Sequence, residues 1–213
     1  MTTLNLETAR AWYPGIDPVH GFEHVRRVYN MAEHLAVAAG ADLEIVRAAA
    51  LLHDAQGSHP GEGARHSHHE DSAEFAAEVL GEMGWTAERI HAVQHCIRAH
   101  RYRSQGDTPV TIEAKVLFDA DKLDVLGAEG VARTIAYAIQ AGQPVYEKPS
   151  QLFLAKWQEE PGEHHSAYHE YLFKLVRVKE RLFTPEAKRI AEQRHQALVA
   201  YFEQLEGEEE GTR

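Results

Sequence analysis

The sequence predicts an all-α protein folded as a single helical domain. Three observations carry this. Apolar residues recur at helical spacing over nearly the whole of the 213 residues. Helix start and stop signals punctuate those stripes. No stretch of useful length shows the period-two alternation of a strand, and no internal repeat is visible.

Phe22, Val25, Tyr29, Ala32, Leu35 and Ala39 make the first stripe, and Gly40 supplies its stop. Asp42 caps the next helix, which carries Ile45, Ala48, Ala49 and Leu52. That helix is apolar nearly all round between Ala48 and Leu52, so it belongs in the centre. A third runs from His66 to Leu80 with Ala73, Ala76, Ala77 and Leu80 on one face, and Gly81 and Gly84 break it. Thr86 caps a fourth through Ile90, Val93 and Ile97. "RSQGDTP" reads as a loop.

Ile112, Val116, Ala120 and Leu123 form the next stripe, closed by Gly127, and residues 131–141 follow as another helix. "GQPVYEKPS" and "EEPGEHH" bracket a short irregular region of lid-like character. Tyr168, Tyr171, Leu175 and Leu182 resume the helical period. "TPEA" starts a last helix, with Thr184 as cap and Pro185 in the first position, running to about Leu205. Residues 1–205 are thus read as the domain and 206–213, "EGEEEGTR", as a disordered acidic tail.

Composition narrows the function classes. The formal net charge of −11 argues against wrapping duplex nucleic acid, which needs a basic footprint. An anionic substrate would need local positive charge, for example from a metal. No window approaches the roughly 18 apolar residues of a membrane span. The N-terminus lacks a signal-peptide pattern, and the single cysteine forbids an internal disulfide, so a reducing cytoplasm is the expected location. A homodimer through an exposed helix face is compatible with the sequence.

Fifteen histidines stand out, most of them suited to a solvated surface. Some are placed differently. His20 and His24 share a helical face in "HGFEHVRRV". His53 and Asp54 close the central apolar helix in "LLHDAQG", and Asp119, Asp121 and Asp124 lie on the striped helix "LFDADKLDVLG". Unpaired charge in a helical core is costly. Three helices bringing His or Asp inward suggest that a cation offsets the cost. A mixed His and carboxylate set suits Mn, Fe, Co, Ni, Zn or Mg. By spacing alone, a capping or hydrogen-bonded arrangement explains these residues equally well.

The order His24, His53-Asp54, then the Asp of "ADKLD" resembles the HD-domain metal-dependent phosphohydrolases. "HGFEHVRRV", "ALLHD", "IRAH" and "IEAKVLFDADKLDVLGAEGVAR" are similar to successive blocks of a bacterial subfamily that includes nucleoside-triphosphate pyrophosphohydrolases. "HHSAYHEYLFKL" and "TPEAKRIAEQRH" extend the likeness, which covers about Pro18 to Leu198.

The resemblance implies a helical fold with a metal site at the centre of the bundle. It implies His24, His53, Asp54 and Asp121 as ligands of one divalent ion, with room for a second. Asp119 and Asp124 are left to packing or to orienting a ligand. The ion would acidify a water and neutralise charge on phosphorus. Asp54 would orient that water, and Glu70 is the nearest carboxylate for a general base. His100 would donate to a phosphate oxygen or protonate the leaving group. His20, Arg98, Arg101 and Lys122 are the candidates for holding a small phosphorylated substrate, with a nucleotide the first choice. For Lys122 a simple salt bridge is an equal alternative. Tyr102, Tyr146, Phe153 and Trp157 could stack on a base, though aromatics at helical spacing usually belong to the core.

One departure counts. Guanosine tetraphosphate hydrolases of the superfamily have two acids soon after the His-Asp pair; here Ala55, Gln56, Gly57 and Ser58 follow. That argues against their activity. Two other readings stay open. One is a di-iron oxygenase using His69, His95 and His100 as extra ligands. The other is a non-catalytic nucleotide-sensing helical module.

Overall fold

The computed structural model describes residues 4–14, 21–56, 68–101 and 108–213, and every regular element among them is helical. Ten α-helices follow in order: α1 (Leu6–Ala9), α2 (Phe22–Ala39), α3 (Leu43–Leu52), α4 (His68–Glu82), α5 (Ala87–His100), α6 (Ile112–Leu123), α7 (Gly127–Gln140), α8 (Gln151–Lys156), α9 (Ala167–Phe173) and α10 (Pro185–Glu209). No helix is long and apolar enough to cross a membrane among the described residues. The chain forms two units, Met1–Lys122 with Leu182–Ala187, and Leu123–Arg181 with Lys188–Arg213.

In the first unit, α3 packs against α2, α4 and α5. Its residues Ala48, Ala49, Ala50, Leu51 and Leu52 are all fully buried, as its all-round apolar sequence requires. α2 adds Val25, Val28, Ala32 and Leu35, α4 adds Ala73, Ala76 and Leu80, and α5 adds Val93, Cys96 and Ile97. The predicted punctuation is physical. Gly40 ends α2 in the left-handed region at φ 67°, its N–H bonding to the Ala36 carbonyl. Asp42 accepts from the backbone of Glu44 and Ile45 to start α3. Arg89 of α5 then donates to Asp42 at 3.0 Å, tying the two helices at that end.

The strap 182–187 is fastened to α6 by Asp119. This fully buried carboxylate accepts from Phe183 N–H at 2.9 Å, and from Thr184 N–H and Oγ1 at 2.7 Å each. Asp119 therefore fixes the register of α6, whose next inward carboxylate lies two residues on.

The second unit holds α7 to α9 and most of α10, with Phe153, Tyr171, Leu175, Leu198 and Phe202 buried. The stretch read as an irregular lid contains α8, capped by Ser150 Oγ accepting from Phe153 N–H. At six residues α8 is too short to show a stripe. The stretch is pinned by its own acids. Glu163 accepts from Ser150 N–H at 2.7 Å and pairs with buried His169 at 2.9 Å. The stripe read from Tyr168 to Leu182 splits into α9 and a 3-10 segment over Leu175–Arg181. The last helix, expected to stop near Leu205, continues to Glu209. A Gln204–Glu208 pair at 2.7 Å, one turn apart, supports the extension.

Candidate metal centre

Two helices of the first unit end in the same way. At the end of α3, His53 turns its Nδ1 back onto the Ala50 carbonyl at 2.9 Å. At the end of α5, His100 turns its Nδ1 onto the Ile97 carbonyl at 2.5 Å. A carbonyl only accepts, so each Nδ1 carries the proton and each neutral ring keeps a lone pair on Nε2. Both rings are buried and lie edge-to-face, with centroids 5.1 Å apart. The two helix C-termini also bring partial negative charge to this spot.

The Nε2 atoms converge on Asp54. Its Oδ2 lies 3.7 Å from His53 Nε2 and 3.8 Å from His24 Nε2. Its Oδ1 lies 3.5 Å from His100 Nε2 and 3.6 Å from His68 Nε2. His24, on the first turn of α2, stands 3.3 Å from His53 Nε2 and 3.4 Å from Asp121 Oδ1 on α6. Lys122 Nζ holds the other oxygen of Asp121 at 2.6 Å and lies over the Phe118 ring.

The protonation state follows from burial and charge. Burial, ahead of all else, lowers His53 to about 4, so the ring is neutral near pH 7. Burial alone would raise Asp54, but the positive charge of the surrounding imidazoles when protonated, His53 first, holds it well below the usual carboxylate range. Asp121 behaves alike, with Lys122 and then His24 outweighing its burial. A neutral His53 imidazole beside ionised carboxylates has the form that metal ligands must take.

The donor set fits a cation on this evidence of its own geometry. An Nε2 lone pair facing carboxylate oxygens is repulsive unless positive charge lies among them. Ligand atoms about 2.1 Å from one ion stand roughly 3.0–3.4 Å apart at right-angled to tetrahedral geometry. The observed spacings of 3.3–3.8 Å are of that order. Two groups meet this condition: His24, His53 and Asp54, and then Asp54, His68 and His100. Asp121 joins the first through His24.

Other residues singled out in the sequence lie elsewhere. Asp119 serves the 182–187 strap, and Asp124 accepts from Arg133 at 2.7 Å within the second unit. Glu70 is half-exposed and bound to Arg98 at 2.7 Å, so these two expected active groups engage each other. Arg101 instead reaches His68, its Nη1 lying 3.3 Å from Nδ1. His95 Nε2 accepts from the Val110 N–H. Phe153 is buried against His169, and Trp157 lies under the Arg177 guanidinium at 4.2 Å. Tyr146 packs on Tyr168. His20 and Tyr102 lie outside the described residues, as do His66 and most of "RSQGDTP".

His68 is the site residue that sequence reasoning passed over. The sequence instead offers His69, between the His-Asp pair and Asp121, as an extra ligand in the di-iron reading. The turn after Asp54 faces the stripe beside Ala73, Ala76 and Leu80. Ser72, fully buried one turn after His68, accepts from the Gln56 N–H at 3.1 Å. The His68–Ser72 pair at i, i+4 was the available signal.

Comparisons with known proteins point to one family and fold. The HD domain family matches residues 21–126. The uncharacterized protein YpgQ of Bacillus subtilis is 31% identical over 210 residues, covering 94% of this chain and 91% of that protein. The crystal structure of B. subtilis YpgQ in complex with ADP superposes with a TM-score of 0.74 at 28% identity, covering 98% of this chain and 100% of that one. An HD-superfamily hydrolase from Bacillus thuringiensis gives a TM-score of 0.65 at 29% identity, over 88% and 85% of the two chains.

Proposed function

Since the chain belongs to the HD domain family, we propose that it is a metal-dependent phosphohydrolase acting on a nucleotide, with a nucleoside triphosphate as the first substrate to test. The observation that carries the reading is the buried convergence of the His53 and His100 lone pairs on ionised Asp54, with His24 and Asp121 beside them. The ADP bound by the YpgQ structure supports the nucleotide.

His24, His53, Asp54 and Asp121 would hold one divalent ion of the Mn, Co, Ni, Mg, Fe or Zn group. When bound, the ion supplies Lewis acidity toward water and a phosphoryl oxygen. The chain's residues supply the proton handling. Asp54 turns one oxygen to His24 and His53 and the other to His100 and His68, so it can orient a water between the two sides. His100, with its lone pair on Nε2, is suited to accept that water's proton. The donor role expected from sequence becomes available to His100 once Nε2 holds that proton. Arg101 and Lys122 border the cluster and would engage phosphate oxygens, which an acidic protein must otherwise repel. Glu70, tied to Arg98, is not needed as a base in this scheme.

A dinuclear centre doing redox chemistry is the competing reading. The observation favouring it is the second group, Asp54, His68 and His100. It requires a lone pair on His68 Nε2.

The deciding assay measures phosphate and pyrophosphate release from nucleoside triphosphates, diphosphates and monophosphates. It is run with Mn, Co, Ni and Mg in turn, beside Asp54→Ala. Metal- and Asp54-dependent release is expected. Tight nucleotide binding with no release from any of them would shift the reading to a sensor. Iron with an oxygen-dependent spectrum would shift it to the oxygenase.

A further inference from the structure

Three histidines around Asp54 have their ring tautomer set by a neighbour, and one neighbour differs in kind. His53 and His100 each place Nδ1 on a backbone carbonyl, which forces the proton onto Nδ1. His68 places Nδ1 against Arg101 Nη1 at 3.3 Å. A guanidinium has five donors and no acceptor, so Nδ1 of His68 must be the acceptor. The neutral ring then bears its proton on Nε2. That is the atom facing Asp54 Oδ1 at 3.6 Å. A protonated Nε2 has no lone pair for a metal.

We infer that Arg101 keeps His68 out of the metal coordination sphere, so that the Asp54, His68 and His100 group takes no second ion and His68 presents an N–H beside Asp54 instead. Arg101 is in this sense a positioning residue that sets the number of metals. Two effects act together. The guanidinium fixes the tautomer, and its charge opposes a second dication one imidazole away. The His69 and His100 rings meet His68 edge-on, with centroids 5.7 and 5.8 Å away. Asp54 Oδ1, 3.6 Å away, is the carboxylate oxygen that this Nε2–H faces. For the reaction, His68 becomes the N–H donor beside Asp54, while His100 is the acceptor. The division of labour comes from what each Nδ1 touches.

The inference rests on the metal-centre reading, and its test separates the two. The full chain, stripped of metal and labelled with 15N-histidine, is titrated with Mn2+ and Zn2+ by calorimetry, and bound metal is counted by plasma mass spectrometry. The imidazole 15N spectrum of the diamagnetic samples reports each tautomer. Wild type is expected to bind one ion per chain and to show His68 as the Nε2–H form. Arg101→Met keeps the stem and removes every donor. It is expected to bind two ions with His68 in the Nδ1–H form, and adding His68→Ala should return the count to one. Two ions in wild type, a wild-type Nδ1–H tautomer, or an unchanged count in Arg101→Met would each overturn the inference. Zero ions with the Nε2–H tautomer would sink the metal reading while leaving the hold of Arg101 on His68 standing.

Discussion

Asp54 and Asp121 differ from their neighbour Asp119 in what completes them. Asp119 is satisfied by three hydrogen bonds from the 182–187 strap, and Asp121 by a lysine and a histidine. The same substitution should therefore fail differently at each. Asp121→Asn is expected to lower metal occupancy with little loss of fold. Asp119→Asn is expected to keep metal affinity while costing about 2 kcal/mol or more, since one amide oxygen cannot accept all three bonds. Metal analysis and urea melts of both variants check this, and the opposite order would mean that the wrong carboxylate has been assigned to the ion. Asp54→Ala removes the group common to both sides of the site. It should reduce turnover by about 10^3-fold or more, a loss of roughly 4 kcal/mol, with the far-ultraviolet circular dichroism unchanged. His53 gives the pH dependence. Its folded value of about 4 lies below the ordinary 6.5, so the unfolded chain binds the proton first. The metal-free protein should thus lose stability as pH falls from 6.5 toward 4, by roughly 3 kcal/mol across that window. Asp54 and Asp121, held low, add their own loss only below about 4. Urea melts at pH 7 and pH 5 read the first window. A flat profile between them would show that His53 is not buried neutral.

At the scale of the element, what could be read from sequence was what depends on neighbours along the chain. The Gly40 stop, the Asp42 cap, the central character of α3 and the Thr184-Pro185 start need only local chemistry, and each stands as read. α8 was missed because six residues cannot display a period. The place of His68 beside Asp54 went unread for a related reason. Periodicity names the stripe facing the core, but the turn after Asp54 approaches α4 from beside that stripe, a long-range fact. The tautomers of His53, His100 and His68 were likewise out of reach, since they depend on which atom ends up against each Nδ1. α7 offers a prediction of the same long-range kind. A Cβ at Gly130 would lie 2.2 Å from the Val125 carbonyl oxygen, and backbone cannot yield as a side chain can. Gly130→Ala should cost about 1–3 kcal/mol or more despite its better helix propensity. A neutral or stabilising result in a thermal melt would show that the start of α7 is free to shift.

At the scale of the whole molecule, the described site residues around Asp54 belong to the first unit, yet they come from widely separated parts of the sequence: His24 on α2, His53 and Asp54 after α3, His68 on α4, His100 on α5 and Asp121 on α6. An unfolded chain cannot hold these groups together, so an ion that binds them binds the folded unit almost exclusively. Its binding free energy then appears as folding stability. At a free metal concentration one hundred times the dissociation constant, the gain is about 2.7 kcal/mol. For a chain of this size that corresponds to roughly 5–10 °C in the midpoint. Thermal unfolding in chelator and in excess Mn2+ should differ by that amount. Asp121→Asn should lose most of the difference, because it replaces a charged ligand of the ion by a neutral one. Arg101→Met should enlarge it, because a second ion would add its own binding energy to the same unit. The two variants thus move one observable in opposite directions. A substitution that only loosened the fold would lower both midpoints and leave the metal-dependent gap unchanged, so the gap, rather than either midpoint, is the quantity to compare.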